Sequence, residues 1–134
     1  MKKITLLLIL IFAGVFAGCS KDSEVESFIS EFDATTSEMV EKINTNPTSA
    51  GIDEAQKVFE TKKSALKAKF DSFKNARKMQ VSEAMQKKLV DSAEKNGKSL
   101  GSAIMNNRSK LVGDKDALEK FQNLMKDYAA TFQM

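Results

Sequence analysis

The chain has 134 residues, which is enough for one domain and too few for two of ordinary size. It contains no His and one Cys, which excludes imidazole-based catalysis, an intramolecular disulfide and metal sites built from clustered Cys. Without Lys2 and Lys3 the formal net charge falls from +3 to +1. A domain so close to neutrality is not expected to bind nucleic acid.

The first eighteen residues have the pattern of an export signal. Lys2 and Lys3 precede an apolar run over 4–17 that only Thr5 and Gly14 interrupt. A helix of this length extends about 21 Å, whereas the hydrocarbon core of a bilayer is about 30 Å thick. The run therefore fits the apolar region of a signal better than a permanent span, and residues 1–18 are predicted to be a signal peptide.

Small residues precede the single Cys in the order Phe16-Ala17-Gly18-Cys19, and Ser20 follows. This segment resembles the lipobox of bacterial lipoproteins. In that family the signal is cleaved before the Cys, whose sulfur is diacylated and whose new amine is often acylated too. The resemblance implies that Cys19 is the lipidated first residue of the mature protein. It also implies a cell-envelope location, the outer membrane more than the inner, because Ser20 looks like the sorting default of enteric bacteria. The alternative is an ordinary signal followed by a Cys at this position by chance.

Residues 19–24 contain no large apolar side chain and are predicted to be a short tether. From residue 25 onward, apolar residues recur at spacings of three and four, which is typical of amphipathic helices. The first stripe runs from Val25 to Ile43 and ends before Pro47, which disfavours helical geometry in the preceding residue. Its opposite face is expected to be a solvated acidic surface, formed by Glu24, Glu26, Glu31, Asp33, Glu38 and Glu41.

The next two stripes run over 52–73 and 85–111. Ser82 is a plausible N-cap after a basic helix end, which predicts a turn near 78–82. No Gly or Pro enforces that turn, so one long bent helix over 52–111 remains open. The third stripe is the weakest, because Asn96-Gly97 is a possible turn inside it. Gly97 and Gly101 are expected to allow the close approach of another helix of the same domain.

A stop at Val112-Gly113 and an N-cap at Asp114 precede the last stripe, over 118–132. The predicted fold class is therefore all-α, an up-and-down bundle of three to four amphipathic helices over 25–134. A domain of this size buries enough surface to fold without disulfides.

Charge is segregated along the chain: residues 20–56 carry a net −7 and residues 57–98 a net +7. In one interpretation the basic helices contact anionic lipid headgroups. In the other, which we favour, acidic helix 1 lies antiparallel to basic helix 2 and their charged edges attract each other.

The sequence predicts no catalytic, cofactor-binding or metal-binding residue. Its carboxylate pairs, Asp53/Glu54, Glu38/Glu41 and Asp114/Asp116, lie at helix starts or on polar faces, where capping or solvation explains them better than acid–base chemistry. Met is a soft ligand that suits copper(I), but the Met residues after the predicted signal are scattered. Met39, Met85 and Met125 fall on apolar stripes and are expected to fill the core.

These features predict a membrane-anchored lipoprotein whose helical domain is not an enzyme and works by contacting a protein partner or a second copy of itself. The alternative is a binding module that holds a small apolar ligand between its helices, as the seven Phe residues after the predicted signal and the glycines at 97 and 101 would permit.

Overall fold

The computed structural model describes residues 20–76 and 80–132. All regular secondary structure in these two ranges is helical, which confirms the predicted all-α class. The predicted signal over 1–18 and Cys19 lie outside the described residues. The helices are α1 (Asp22–Thr45), α2 (Ser49–Phe73), α3 (Glu83–Asn106), α4 (Arg108–Leu111) and α5 (Lys115–Thr131).

The helix starts follow from local capping. Ser82 accepts a hydrogen bond from the backbone N–H of Met85 at 3.2 Å, and Asp114 accepts one from Ala117 at 3.0 Å, so both predicted N-caps are confirmed. Because α2 ends at Phe73 and α3 begins at Glu83, the alternative of one bent helix over 52–111 is wrong. Helix α1 begins three residues before its predicted start, so the last three residues of the predicted tether over 19–24 are helical.

The predicted third helix, which was expected to reach residue 111, is interrupted at Asn107. The side-chain amide of Asn107 donates to the backbone oxygen of Ala103 at 2.8 Å and to Oδ1 of Asn44 at 2.9 Å. This contact with α1 fixes Asn107 outside helical geometry, with φ −101° and ψ 9°. The helix therefore stops at Asn106, and a single further turn forms as α4.

Two expectations about α3 are wrong. The helix continues through Asn96-Gly97 without a turn, because the Asn96 side chain is buried and hydrogen-bonded rather than free to bond its own backbone. A Cβ atom built on Gly97 or Gly101 would have no neighbour within 4 Å, so no helix of the described chain packs closely on these glycines. They lie away from the face of α3 that contacts α1.

We expect Gly97→Ala and Gly101→Ala each to raise the free energy of unfolding by about 0.5–1 kcal/mol, because alanine restricts the unfolded chain and meets open space in the folded one. Gly51→Ala is the control variant, for which we expect the opposite change in the free energy of unfolding. Its Cβ would lie 1.7 Å from the backbone oxygen of Asn46, so this variant is expected to be less stable than the parent. Urea unfolding followed by circular dichroism measures all three, and a destabilising effect at 97 or 101 would contradict the open environment of these glycines.

The long helices pack in pairs whose relative directions follow from cross-helix contacts. Glu31 near the middle of α1 contacts Lys69 late in α2, whereas Lys42 at the end of α1 contacts Glu54 early in α2 at 3.9 Å, so this pair is antiparallel. Helix α3 lies against α1 in the same direction, since its contacts advance from Asp22–Ser82 to Asn44–Asn107. Helix α5 lies beside α2, again in the same direction.

The core is rich in aromatic side chains from α1, α2 and the end of α5. The rings of Phe28 and Phe32 stack with centroids 5.2 Å apart, and Phe32 stacks on Tyr128 at 5.4 Å. Phe132 contacts both Phe28 and Phe32 edge-on. The predicted stripes on α1 and α2 are confirmed, because they supply most of the fully buried side chains: Val25, Phe28, Met39, Ile43, Ile52, Phe59 and Leu66.

Candidate functional site

The point at which the described chain begins is fixed to one end of the helical domain. The backbone N–H of Lys21 donates to the carbonyl of Gln80 at 2.6 Å, and the N–H of Ser82 donates to Oδ1 of Asp22 at 2.8 Å. The hydrogen bond from Ser82 holds the pKa of the Asp22 carboxyl below its usual range. Cys19 lies outside the described residues, but it is only two positions from Lys21.

An apolar groove of about 190 Å³ lies next to this attachment point. It opens between the start of α1, the end of α2 and the start of α3. Val81, which lines it, directly follows the Gln80 carbonyl that binds Lys21. An apolar cavity of about 150 Å³ is enough for a benzene-sized molecule. The other apolar side chains that line the groove are Val25, Phe70, Phe73, Ala76 and Leu89.

A hydrogen-bonded polar cluster joins α1 to α3. One carboxylate oxygen of Asp33 accepts hydrogen bonds from Ser92 and, at 2.8 Å, from Asn96, and the other accepts from Lys95 at 2.8 Å. Partial burial alone would raise the pKa of Asp33, but the three donors outweigh it and hold this pKa below its usual value. Asn96 is only 2% exposed, so its amide depends on this carboxylate.

The sequence predicted a solvated face for Asp33, so this cluster was not expected. Ser92 and Asn96 occupy the α1-facing side of α3, where the apolar stripe predicted Leu89 and Ala93. The structure leaves Ala93 exposed and Leu89 partly buried. One feature of the sequence does indicate the burial of Ser92 and Asn96: their helical spacing places them on the same face of α3 as Met85, Leu100 and Ala103.

We expect Asp33→Ala to lower the free energy of unfolding by about 1–3 kcal/mol at pH 7, because it leaves the buried Asn96 amide short of an acceptor. In the same variant, the free energy of unfolding should fall less than in the parent protein when the pH is lowered from 7 to 3. Since the pKa of Asp33 is lower in the folded than in the unfolded chain, its contribution is complete above about pH 3.9 and is lost as the pH falls through the folded value. Urea unfolding at pH 7 and pH 3 measures both effects.

Glu38→Ala is the control for this prediction, because Glu38 is an exposed carboxylate on the same helix and forms no ion pair with the described residues. Its effect on the free energy of unfolding should stay within about 0.5 kcal/mol. Equal losses in Asp33→Ala and Glu38→Ala would contradict the role assigned to the cluster.

The buried polar groups of the described residues are all engaged. The hydroxyl groups of Tyr128 and Thr36 share a hydrogen bond of 2.8 Å inside the aromatic core, and burial raises the pKa of Tyr128 far above its usual value. No buried side-chain nitrogen or oxygen in the described ranges lacks a hydrogen-bond partner. These groups therefore stabilise the domain and leave no unpaired polar atom aimed at a ligand.

A second groove, of about 280 Å³, lies between α2 and α5 and is lined by charged side chains. Lys120 of α5 pairs with Asp53 of α2 at 2.7 Å and with Asp116 of its own helix at 3.0 Å. Asp127 is paired with Lys63, whose ammonium group outweighs partial burial and lowers the pKa of Asp127. The carboxylates of this groove already have cationic partners.

Among the predicted carboxylate pairs, Asp114 has the expected role of a cap, whereas Asp53, Glu54 and Asp116 form ion pairs. Asp114 caps α5 and also accepts from the backbone N–H of Ser49 at 3.2 Å. Asp53 and Asp116 share Lys120, and Glu54 contacts Lys42. In the described part of the chain no three acidic or Cys side chains form a group that could hold a metal ion. Met39 and Met85 are buried and Met125 packs against the core, as predicted.

The favoured interpretation of the charge segregation is confirmed for α1. Its acidic side chains contact Lys residues of both neighbouring helices, with Glu31 paired to Lys69 of α2 and Asp33 to Lys95 of α3. Exposed pairs of this kind contribute about 0–1 kcal/mol each, and they favour this arrangement of helices over others.

Comparisons with protein-family models, curated proteins and solved structures find no match for this chain. No helix in the described ranges combines the length and the apolar character needed to cross a membrane.

Proposed function

We propose that this chain is a bacterial cell-envelope lipoprotein, anchored through an acylated Cys19, whose helical domain has a structural or protein-interaction role. The observation that carries the proposal is the segment Phe16-Ala17-Gly18-Cys19, which resembles a lipobox. Lys21 and Asp22 are both hydrogen-bonded to the connection between α2 and α3, which is the fixed point nearest to Cys19 in the sequence. A lipid on Cys19 would lie within about 7 Å of this fixed point, since two residues of extended chain span no more. The domain would then be attached to the membrane at the end that carries the connection between α2 and α3.

The proposed architecture is an up-and-down bundle of the four long helices, with α4 as a single turn between α3 and α5. The alternating directions of α1, α2, α3 and α5 support it, as does the antiparallel contact of α1 with α2. The outer helices pack on alternate neighbours, α3 on α1 and α5 on α2, whereas the successive pairs α2/α3 and α3/α5 do not pack on each other within the described residues. Bundles of this kind connect successive helices by short loops.

The non-enzymatic role is supported by the chemistry of the polar groups. Asp33, Asp53 and Asp127 each bind a Lys of a neighbouring helix, so their charge stabilises the domain. Catalytic carboxylates need environments that separate their pKa values and leave one oxygen accessible to substrate. We propose that the domain acts by contacting another protein or a second copy of itself, with the outer membrane as its location.

Intact-mass measurement of the protein purified from its native membrane tests the proposal. We expect loss of residues 1–18 and the added mass of two or three acyl chains, both localised to a peptide that begins at Cys19. A mature chain that keeps residues 1–18, or that starts beyond Cys19, would overturn it.

A second candidate function is the binding of a small apolar ligand in the groove beside Val25 and Val81, favoured by the apolar lining of that groove. A ligand bound only by the folded state stabilises it by about 2.7 kcal/mol at a hundred times its dissociation constant. Benzene is a suitable probe in thermal unfolding, because an apolar cavity of about 150 Å³ is enough to hold it. An increase in melting temperature that Val81→Arg removes would support this function, and an unchanged melting temperature would contradict it.

A further inference from the structure

The connection between α3 and α5 is a rigid turn at the end of the domain opposite Lys21. Asn107 binds Asn44 of α1, and the side chain of Leu111 is fully buried. Asp114 caps α5 and binds the backbone of Ser49 at the start of α2. Contacts to α1, to the core and to α2 therefore hold this turn in one conformation.

Exposed apolar and unpaired cationic side chains lie close together in the sequence along this turn, over 105–115. Met105 and Val112 are 64% and 58% exposed, and together with Val90 they are the exposed large hydrophobics of the described chain. Arg108, Lys110 and Lys115 are exposed and form no ion pair with any described residue. We call these five residues the α3–α5 surface.

The acidic residues nearest to this surface do not neutralise it. The carboxylate of Asp114 is turned inward as a cap, and that of Asp116 is paired with Lys120. Glu119 lies one helical turn beyond Lys115 without an ion pair to it. Most Lys residues of α2 and α3 contact a carboxylate of this chain, so three unpaired cations within eight residues distinguish the turn from those helices.

We propose that the α3–α5 surface docks an acidic segment of another protein. The positive charge attracts an acidic segment and speeds its association with this surface. The exposed Met105 and Val112 supply apolar contact, and Met and Arg are both enriched at protein–protein interfaces. Because the turn is already rigid, binding orders little of it. The charge of Arg108, Lys110 and Lys115 favours an acidic partner over a basic one.

The orientation of this surface rests on the proposed anchoring through Cys19. Helix α3 has 24 residues and extends about 36 Å from the attachment end to the α3–α5 surface. A molecule anchored by Cys19 would present this surface to the space away from its own membrane, where a protein partner is accessible and the headgroups of the anchoring membrane are not.

Binding of the purified full-length mature protein to a labelled synthetic peptide rich in Glu and Leu tests the proposal. Charge reversal at the surface, R108E/K110E/K115E, should weaken the peptide affinity at least tenfold. The matched control is K57E/K62E/K126E, which reverses three other exposed cations that form no ion pair with described residues, and it should change the affinity less than twofold. Equal weakening of peptide binding in the two variants would overturn the proposal. Binding of the protein to phosphatidylglycerol vesicles is measured with the same variants. If R108E/K110E/K115E weakens vesicle binding more than peptide binding, the proposal is also overturned.

Photo-crosslinking in intact cells tests the same surface without a chosen peptide. A crosslinker at Val112 should form an adduct with a segment of net negative charge in another protein, and R108E/K110E/K115E should abolish it. Val90, also exposed, provides the control position and should not form that adduct. A lipid adduct, a basic segment or equal crosslinking at Val90 would overturn the proposal. Cys19→Ser should leave peptide binding unchanged, so loss of anchoring and loss of docking are separate results.

Discussion

Replacing Phe28 with alanine is expected to lower the free energy of unfolding by about 3–5 kcal/mol. Phe28 is 2% exposed, and its ring lies 5.2–5.7 Å from the rings of Phe32, Phe70, Phe73 and Phe132. Truncation removes the contacts of one side chain with α1, α2 and the residue after α5, and the rigid neighbours cannot close the cavity. Because domains are stable by only about 5–15 kcal/mol, this single change would remove a large share of the total.

Urea unfolding followed by circular dichroism measures this loss. Val90→Ala provides the control, because it also truncates an apolar side chain on a helix, but one that is 54% exposed. Its effect should stay within about 0.5 kcal/mol. A loss below 1 kcal/mol in Phe28→Ala would contradict the assignment of the aromatic cluster as the centre of the core.

Much of the fold is predictable from the sequence because its determinants are local. The stripe from Val25 to Ile43 has the helical period, and this period alone places its apolar side chains on one face. Ser82 and Asp114 cap helices by accepting hydrogen bonds from backbone N–H groups three positions later. Their role can therefore be predicted from the few residues around them.

The polar cluster at Asp33 was not predicted because it depends on a partner about sixty positions away. An acid on the charged side of a predicted helix is ordinarily solvated, and nothing near Asp33 in the sequence indicates that α3 will cover it. Asn107 is a similar case, since the contact with Asn44 that ends α3 exists only after α1 and α3 have packed together.

Two further features also depend on tertiary packing and could not be predicted from the sequence: the surroundings of the glycines at 97 and 101, and the α3–α5 surface. Spacing alone fits a close helix contact, and only the packed structure shows that Gly97 and Gly101 meet none within the described chain. Likewise, composition gives the number of cations, whereas folding decides which of them find carboxylates. Arg108, Lys110 and Lys115 become distinctive only because the Lys residues of α2 and α3 are mostly paired.

Replacing Cys19 with serine is expected to move the protein from the membrane to the soluble fraction while leaving its helical content unchanged. Each buried methylene of an acyl chain contributes about 0.8 kcal/mol to membrane binding, so two or three chains anchor a protein stably and their loss removes the anchor. The core and the ion pairs described above form among residues of the described ranges, so we expect the helices to remain. Ser20→Ala is the neighbouring control, and it should remain with the membrane.

Flotation of native membranes on a density gradient, with the parent protein, Cys19→Ser and Ser20→Ala compared by immunodetection, tests the anchoring. We expect the parent and Ser20→Ala to float with the membranes, and Cys19→Ser to stay at the bottom with unchanged circular dichroism. A Cys19→Ser protein that still floats would contradict the anchoring of this chain through Cys19.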